Sequence, residues 1–405
     1  MRHALALADR LPTRERLLIE AQAARGRGDW MRAATLHRAY LIRYPDDYDM
    51  YSMLGYDLMR GKNPDESLVA YDSLLAHRRP TTTTLINIAA NHAQLERPAL
   101  ARQAQVKAIK LDSSILFRSV TNEEFGRTLL ELGFADSARA IFRILLTRTA
   151  PDQARAHRSL AYADLYEGRY STAVYHLDSA IALGQLNPRN ALSVVRDRAL
   201  LASTQLALDR PDASRAQLRE ATRLCLASPI DPAALYWTGK PLARLGDTAT
   251  VRLLLDSARA RTRDTDIGQV SATLALEAEL LIAQGRFAEG AGAASRATAG
   301  DPAANLIETL AYALERGGKL REARLQYESL LATRVGVNGK EGQQAARLAP
   351  LAIARIDALL GRPDEAQREV GALLERLPNA DADLPMFSAE RLRIGALQSP
   401  ARSRP

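Results

Sequence analysis

Residues 306–331 read LIETLAYALERGGKLREARLQYESLL. Before Gly318 the apolar residues Leu306, Leu310, Ala311 and Leu314 are set three or four places apart, and after it Ala323, Tyr327, Leu330 and Leu331 repeat the spacing. That period lays an apolar stripe along one side of an α-helix, whereas a half-buried strand alternates every second residue. The stretch predicts a helix A, a tight turn at Gly318 and a helix B.

The same phrase, a turn residue followed five places later by a second marker, occurs ten times along the chain. It runs Gly28 to Ala33, Lys62 to Ser67, Glu96 to Ala101, Gly133 to Ala138, Gly168 to Ala173 and Asp209 to Ser214. It continues through Gly246 to Val251, Gly285 to Gly290, Gly318 to Ala323 and Gly361 to Ala366. Successive second markers lie 34, 34, 37, 35, 41, 37, 39, 33 and 43 residues apart, so any excess over 34 falls between units. Twelve places upstream of each stands another small residue, such as Ala21, Gly55, Ala89, Gly239 or Ala354. Small residues at both places predict a close crossing of the paired helices. Pro64, Pro98, Pro211 and Pro363 each fall two residues past the turn, in the first turn of helix B, where the missing N–H has no helical partner. No β-strand is needed anywhere.

On these residues the chain resembles the tetratricopeptide repeat family, whose unit has 34 residues. The second copy matches best, with Tyr51, Leu54, Gly55, Ser67, Tyr71 and Leu74, and with Leu58 where the family usually has Tyr. The resemblance covers residues 13–379 and implies an all-α, right-handed superhelical solenoid of about ten repeats. It weakens in the sixth to eighth copies, where Pro241 should kink helix A of the seventh and Val251 is bulkier than its place normally holds. A narrower likeness, in residues 11–18 and in Tyr44-Pro45-Asp46-Asp47, is to the repeat region attached to some bacterial serine/threonine kinases and transcriptional regulators. No kinase or DNA-binding segment accompanies it, so neither activity is carried over.

Both flanks give expectations. Residues 1–12 read as part of a helix from an incomplete leading repeat, exposing an apolar edge. Residues 380–405 read as a capping helix over 385–397, with Phe387, Ile394 and Leu397 on its apolar side, and a disordered tail from Ser399.

Composition fits a helical array: of 405 residues, 47% are hydrophobic and 25% charged, enough to bury a continuous core. The longest stretch without formal charge, residues 80–95, carries four Thr and two Asn and is too short and polar to span a bilayer. Asp9 and Arg10 interrupt the only apolar run that could open a signal peptide, which leaves a cytoplasmic protein as the expectation. The net charge of +8 raises nucleic acid as a partner, but the basic residues are interleaved with Asp and Glu and form no clustered stripe, so that reading is set aside. The single Cys225, beside Leu224 and Leu226, reads as a buried structural thiol.

Catalytic and cofactor signatures are not apparent. The six His residues are scattered and read as surface or packing groups, not as ligands that converge on a metal. Gly339-Lys340 lacks the Ser or Thr and the upstream Gly of a phosphate loop, and residues 336–342 read as a mobile insertion. Neither an enzyme nor a bound cofactor is expected.

Stacked hairpins bind partners on their concave side, and in the resembled family helix A lines that wall. Arg155, Arg158, Tyr162 and Tyr166 of the fifth copy recur at helical spacing and share a face; the seventh offers Tyr236, Trp237, Lys240 and Arg244. Tyr56 and Arg60 of the second, Asn87 of the third and Arg196 of the sixth join them. Arg and aromatic side chains are enriched at binding hot spots, and a wall so lined suits an acidic peptide or a terminal carboxylate. An alternative stays open, in which Tyr162 and Trp237 only fill the packing between repeats. The leading expectation is a non-enzymatic scaffold that binds a peptide or partner helix in its groove. The other is a regulatory or sensor module of a bacterial kinase or transcription-regulator signalling system.

Overall fold

The computed structural model describes residues 11–95, 97–332 and 339–375, together with 377, 379–381, 384 and 385. The partial leading helix over 1–10, the turn at Glu96, residues 336–338 of the inserted segment and the capping helix with its tail lie outside the described residues. Every described residue with left-handed φ is one of the ten turn positions read from sequence: Gly28, Lys62, Gly133, Gly168, Asp209, Gly246, Gly285, Gly318 and Gly361. Each closes a helix A by the same device. At the first, the N–H of Gly28 donates to the carbonyl of Arg25 at 3.0 Å and that of Asp29 to Ala24 at 2.9 Å, which satisfies two carbonyls the helix end would leave open. At the last, Gly361 donates to Ala358 at 3.1 Å and Arg362 to Asp357 at 2.8 Å.

The chain divides into two compact units, 1–134 and 135–405, the division falling in the turn after Gly133. The first unit holds three hairpins, α1 (Thr13–Gly26) with α2 (Trp30–Arg43), α3 (Tyr48–Arg60) with α4 (Pro64–Leu75), and α5 (Thr82–Gln94) with α6 (Pro98–Leu111). A 3₁₀ turn, Ser113–Phe117, leads to α7 (Ser119–Glu131). The close crossing is visible at the second hairpin, where Ser67, fully buried, donates its hydroxyl to the carbonyl of Gly55 at 2.6 Å. The two phrases of the narrower likeness also meet here. Arg14 Nε donates to the Tyr40 hydroxyl at 2.8 Å, and that hydroxyl donates to Asp47 at 2.6 Å.

The second unit opens with α8 (Ala135–Arg143) and a 3₁₀ turn (Ile144–Thr147). Six hairpins follow: α9 (Ala150–Tyr166) with α10 (Tyr170–Gln185), α11 (Ala191–Ala207) with α12 (Pro211–Ala227), α13 (Pro232–Arg244) with α14 (Thr248–Arg261), α15 (Ile267–Ala283) with α16 (Phe287–Gly300), α17 (Ala304–Arg316) with α18 (Leu320–Ala332), and α19 (Gly339–Leu359) with α20 (Pro363–Glu375). Pro241 lies inside α13, whose span runs on past it to Arg244. Register holds there as well, with Gly246 at φ 82° and Val251 fully buried. On the other side of the crossing a Cβ at Gly239 would come within 2.3 Å of the Leu276 side chain, so glycine there leaves room for that leucine. Gly339 to Gly342, expected as loop, form the first turn of α19.

The tenth hairpin returns to the fifth. Ala161, Tyr162 and Leu165 of α9 and Leu177 of α10 share one core with Leu351 and Ala354 of α19 and Val370 and Leu373 of α20. Backbone and side-chain bonds fasten the seam: Asp381 N–H donates to the Gly168 carbonyl at 3.1 Å, Ser171 N–H to the Asp381 carboxylate at 2.8 Å, and Arg347 Nε to the Tyr166 carbonyl at 3.1 Å. Burial of leucines such as Leu177, fully covered here, contributes about 1.5–3 kcal/mol each. Instead of continuing as an open trough, this unit closes on itself.

Candidate binding site

In the first unit Tyr56 and Arg60, one turn apart on α3, meet Trp30 at the start of α2. The Tyr56 ring is edge-on to Trp30 at 6.0 Å, and the Arg60 guanidinium lies over the indole at 4.9 Å. Arg25 covers the Tyr56 ring at 5.1 Å while its Nε sits 3.0 Å from the buried Asp57 carboxylate. Arg60 itself is exposed and makes no ion pair with a described residue. Asn87 is engaged in packing, its amide donating to the Tyr71 hydroxyl at 2.9 Å.

In the second unit several sequence-chosen residues are not on an open wall. Arg158 is 7% exposed and forks onto Asp197 of α11, with Nη2 2.6 Å from Oδ2. Burial works against the Arg158 charge, but the Asp197 carboxylate outweighs it and raises the guanidinium pKa above its usual value. Tyr162 is 5% exposed within the shared core of the fifth, sixth and tenth hairpins, which is the packing alternative left open by the sequence. Both are corrected as groove positions, because neighbouring helices cover them. Arg155 is half-buried, and burial followed by repulsion from Arg158 lowers its pKa. Tyr166 lies under Arg347 at 4.1 Å, and so belongs to the seam.

The remaining five come together. Trp237, Tyr236, Lys240 and Arg244 of α13, with Arg196 of α11, face a recess of about 490 Å³ whose other walls are α17, α18 and α19. Arg196 lies over the Trp237 ring at 5.1 Å. Tyr236 is 2% exposed, and its hydroxyl donates to the Asn305 carbonyl at 2.8 Å. Lys240 pairs with Glu308. Arg244 forks onto the fully buried Glu279 at 2.9 Å through both Nε and Nη2, and the Thr309 hydroxyl donates to the same carboxylate at 2.8 Å. Across the recess Arg355 Nη2 donates to Glu315 at 2.7 Å, and the Tyr327 hydroxyl to the same group at 3.2 Å. Burial opposes the charges of Lys240, Arg244 and Glu308, yet the pairing wins: Lys240 and Arg244 are held above their usual pKa values and Glu308 well below the usual carboxylate range.

Sequence reasoning missed the acidic and aromatic half of this site. Glu308, Tyr312 and Glu315 recur at four- and three-residue spacing on α17, a signal of the same kind as the one that found α13. Five of the interleaved Arg and acidic pairs are locks between hairpins: Arg25 with Asp57, Arg139 with Asp164, Arg158 with Asp197, Arg244 with Glu279 and Arg324 with Asp357, where none of the five carboxylates exceeds 2% exposure. Two of the scattered histidines also meet, His157 Nδ1 lying 3.0 Å from His176 Nδ1. Cys225 is fully buried, and burial pushes its thiol pKa up to about 11. Among the described residues no group of three or more His, Cys, Asp or Glu is placed to hold a metal, and no helix is long and apolar enough to cross a membrane.

Helical hairpins in regular succession, each closed by a left-handed turn and crossed at small residues, define a helical repeat solenoid. The tetratricopeptide repeat family matches residues 20–81 and 124–188, and over these stretches the chain is similar to that family. No curated relative matches it. Among solved structures, a tetratricopeptide repeat protein from Parabacteroides merdae is 14% identical, with 75% of this chain and 99% of that one covered and a TM-score of 0.46. The human IFIT1 dimer with PPP-AAAA is 14% identical, covering 87% and 81%, also with a TM-score of 0.46. YrrB, described as a tetratricopeptide repeat protein with an unusual peptide-binding site, is 18% identical over 42% and 84%, with a TM-score of 0.35. Likeness at this level does not distinguish one helical array from another.

Proposed function

We propose that the chain is a non-catalytic protein-interaction scaffold, and that the first unit holds an acidic partner segment on the face formed by Trp30, Tyr56 and Arg60. The observation that carries this reading is the exposed Arg60 guanidinium stacked on Trp30, a cation held in place by an aromatic ring and making no ion pair with a described residue. Arg and Trp are the side chains that most often dominate binding energy, and a pre-positioned guanidinium loses little freedom on meeting a carboxylate.

The test is selection of random displayed peptides on the full chain, followed by calorimetry of the winners against Arg60→Glu and Trp30→Ala. Acidic sequences should be enriched, and each variant should weaken them roughly thirtyfold, the size of a hot-spot loss. Winners that bind both variants as tightly as the parent would place the partner surface elsewhere. A second reading, a regulatory or sensor module, is favoured by the recess of the second unit.

A further inference from the structure

We propose that the recess of the second unit binds a small neutral aromatic molecule carrying one amide-like hydrogen-bonding group. Its size, about 490 Å³, falls within the range of small-ligand pockets. Closure of the tenth hairpin on the fifth makes it an indentation of limited length, not a stretch of continuous groove, so a bounded molecule fits it better than a passing chain or a helix about 10 Å across.

The lining suits a flat apolar body. Helices α11 and α19 supply Ala199, Leu200, Leu348 and Leu351, while α13 and α17 supply the rings of Trp237 and Tyr312. Pockets for small ligands are mostly apolar, with a few placed polar groups that set orientation. Ionic contacts act here as struts between helices: Lys240 of α13 holds Glu308 of α17, Arg244 of α13 holds Glu279 of α15, and Arg355 of α19 holds Glu315 of α17. Arg244 also lies 3.2 Å from the Tyr312 ring centre, so that ring stands on a fixed base. Walls already braced in this way have little order left to lose when a ligand enters. A neutral body gives up little hydration on passing between them, whereas an ion gives up much.

Asn305 supplies the polar contact. It stands three and seven places before Glu308 and Tyr312, on the face of α17 that lines the recess. Its backbone carbonyl accepts from Tyr236, but its side-chain amide makes no hydrogen bond with a described residue. An amide offers both a donor and an acceptor, so it pairs through two bonds with a ligand group of the same kind. None of these residues belongs to the face assigned to a partner protein, so the two proposals fail independently.

The test uses the full chain with Trp30→Phe, which leaves Trp237 as the sole tryptophan. It is titrated with the neutral probe N-phenyl-1-naphthylamine, against which 2-naphthamide and its anionic isostere 2-naphthoate then compete. One probe per chain should bind, quench Trp237, and be displaced by the amide at about one-tenth the concentration that the carboxylate needs. Asn305→Leu should weaken 2-naphthamide about tenfold and leave the probe unchanged. Ser203→Leu, at a half-buried position of the same lining, should weaken every ligand at unchanged helicity. A carboxylate that competes as well as the amide, an amide indifferent to Asn305→Leu, several probes per chain that ignore Ser203→Leu, or no binding would each overturn the proposal.

Discussion

Replacing Arg158 by Ala should damage the fold of the second unit and leave its partners' chemistry untouched. Asp197 is fully buried and Arg158 is its forked guanidinium across the boundary between the fifth and sixth hairpins. Removal of one member of a buried pair costs about 3–5 kcal/mol, because the remaining charge keeps its desolvation penalty without its partner. At about 2–4 °C per kcal/mol for a unit of this size, the melting transition should fall by roughly 6–20 °C. Both α9 and α11 should then show faster amide exchange than hairpins several repeats away, since each repeat is stabilised mainly by its neighbours. The double variant Arg158→Leu with Asp197→Leu should recover most of the loss, as apolar replacements of whole buried pairs often do. A single variant that lowers stability by less than about 1 kcal/mol, or a double variant that is worse than either single one, would refute the assignment of Arg158 as an interhelical lock.

Lys62 and Asp209 occupy turn positions at φ 59° and 54°, a conformation that costs a non-glycine residue about 1–2 kcal/mol. After glycine's greater freedom when unfolded is subtracted, Lys62→Gly and Asp209→Gly should each stabilise by about 0.5–1 kcal/mol in urea unfolding, and Gly246→Ala should destabilise by a similar or larger amount. Unchanged midpoints in all three would contradict the turn geometry. His157 and His176 titrate below the ordinary imidazole value, in both cases chiefly through burial. For His176, attraction to Asp164 is opposed by His157, Arg143 and Arg139. Folded pKa values below the unfolded one mean that their contribution is complete above about pH 6.5 and is lost as pH falls through the depressed values. Urea midpoints measured between pH 7 and 5 should therefore drop more steeply in the parent than in His157→Asn with His176→Asn; parallel profiles would be the contrary result.

The hairpin plan was legible because it rests on local chemistry. A tight reversal after helix A needs left-handed backbone, and Gly28, Gly168 or Gly361 announces it; two helices can cross closely only where side chains are as small as Ala21 and Ala33, both fully buried. Lys62 and Asp209 were found by spacing alone, since neither residue type demands that conformation. For the site, helical spacing located Trp237, Lys240 and Arg244 on one face but gave no information on what stands opposite. Pairing of Arg158 with Asp197, and return of the tenth hairpin to the fifth, depend on small rotations accumulated over successive repeats. No single stretch of sequence encodes that sum, so an open trough was expected where the second unit closes.

Closure of the second unit is most directly tested by a pulsed electron-electron distance between spin labels at Thr172→Cys and Asn379→Cys in a Cys225→Ala background. Asp381 holds the backbone of Ser171 at 2.8 Å, so both labels sit beside the seam and should give a narrow distribution below about 20 Å. An array that did not return would separate the fifth and tenth hairpins by five interhelical steps, roughly 40–50 Å at 8–10 Å each, and a distribution centred there would contradict the closed unit.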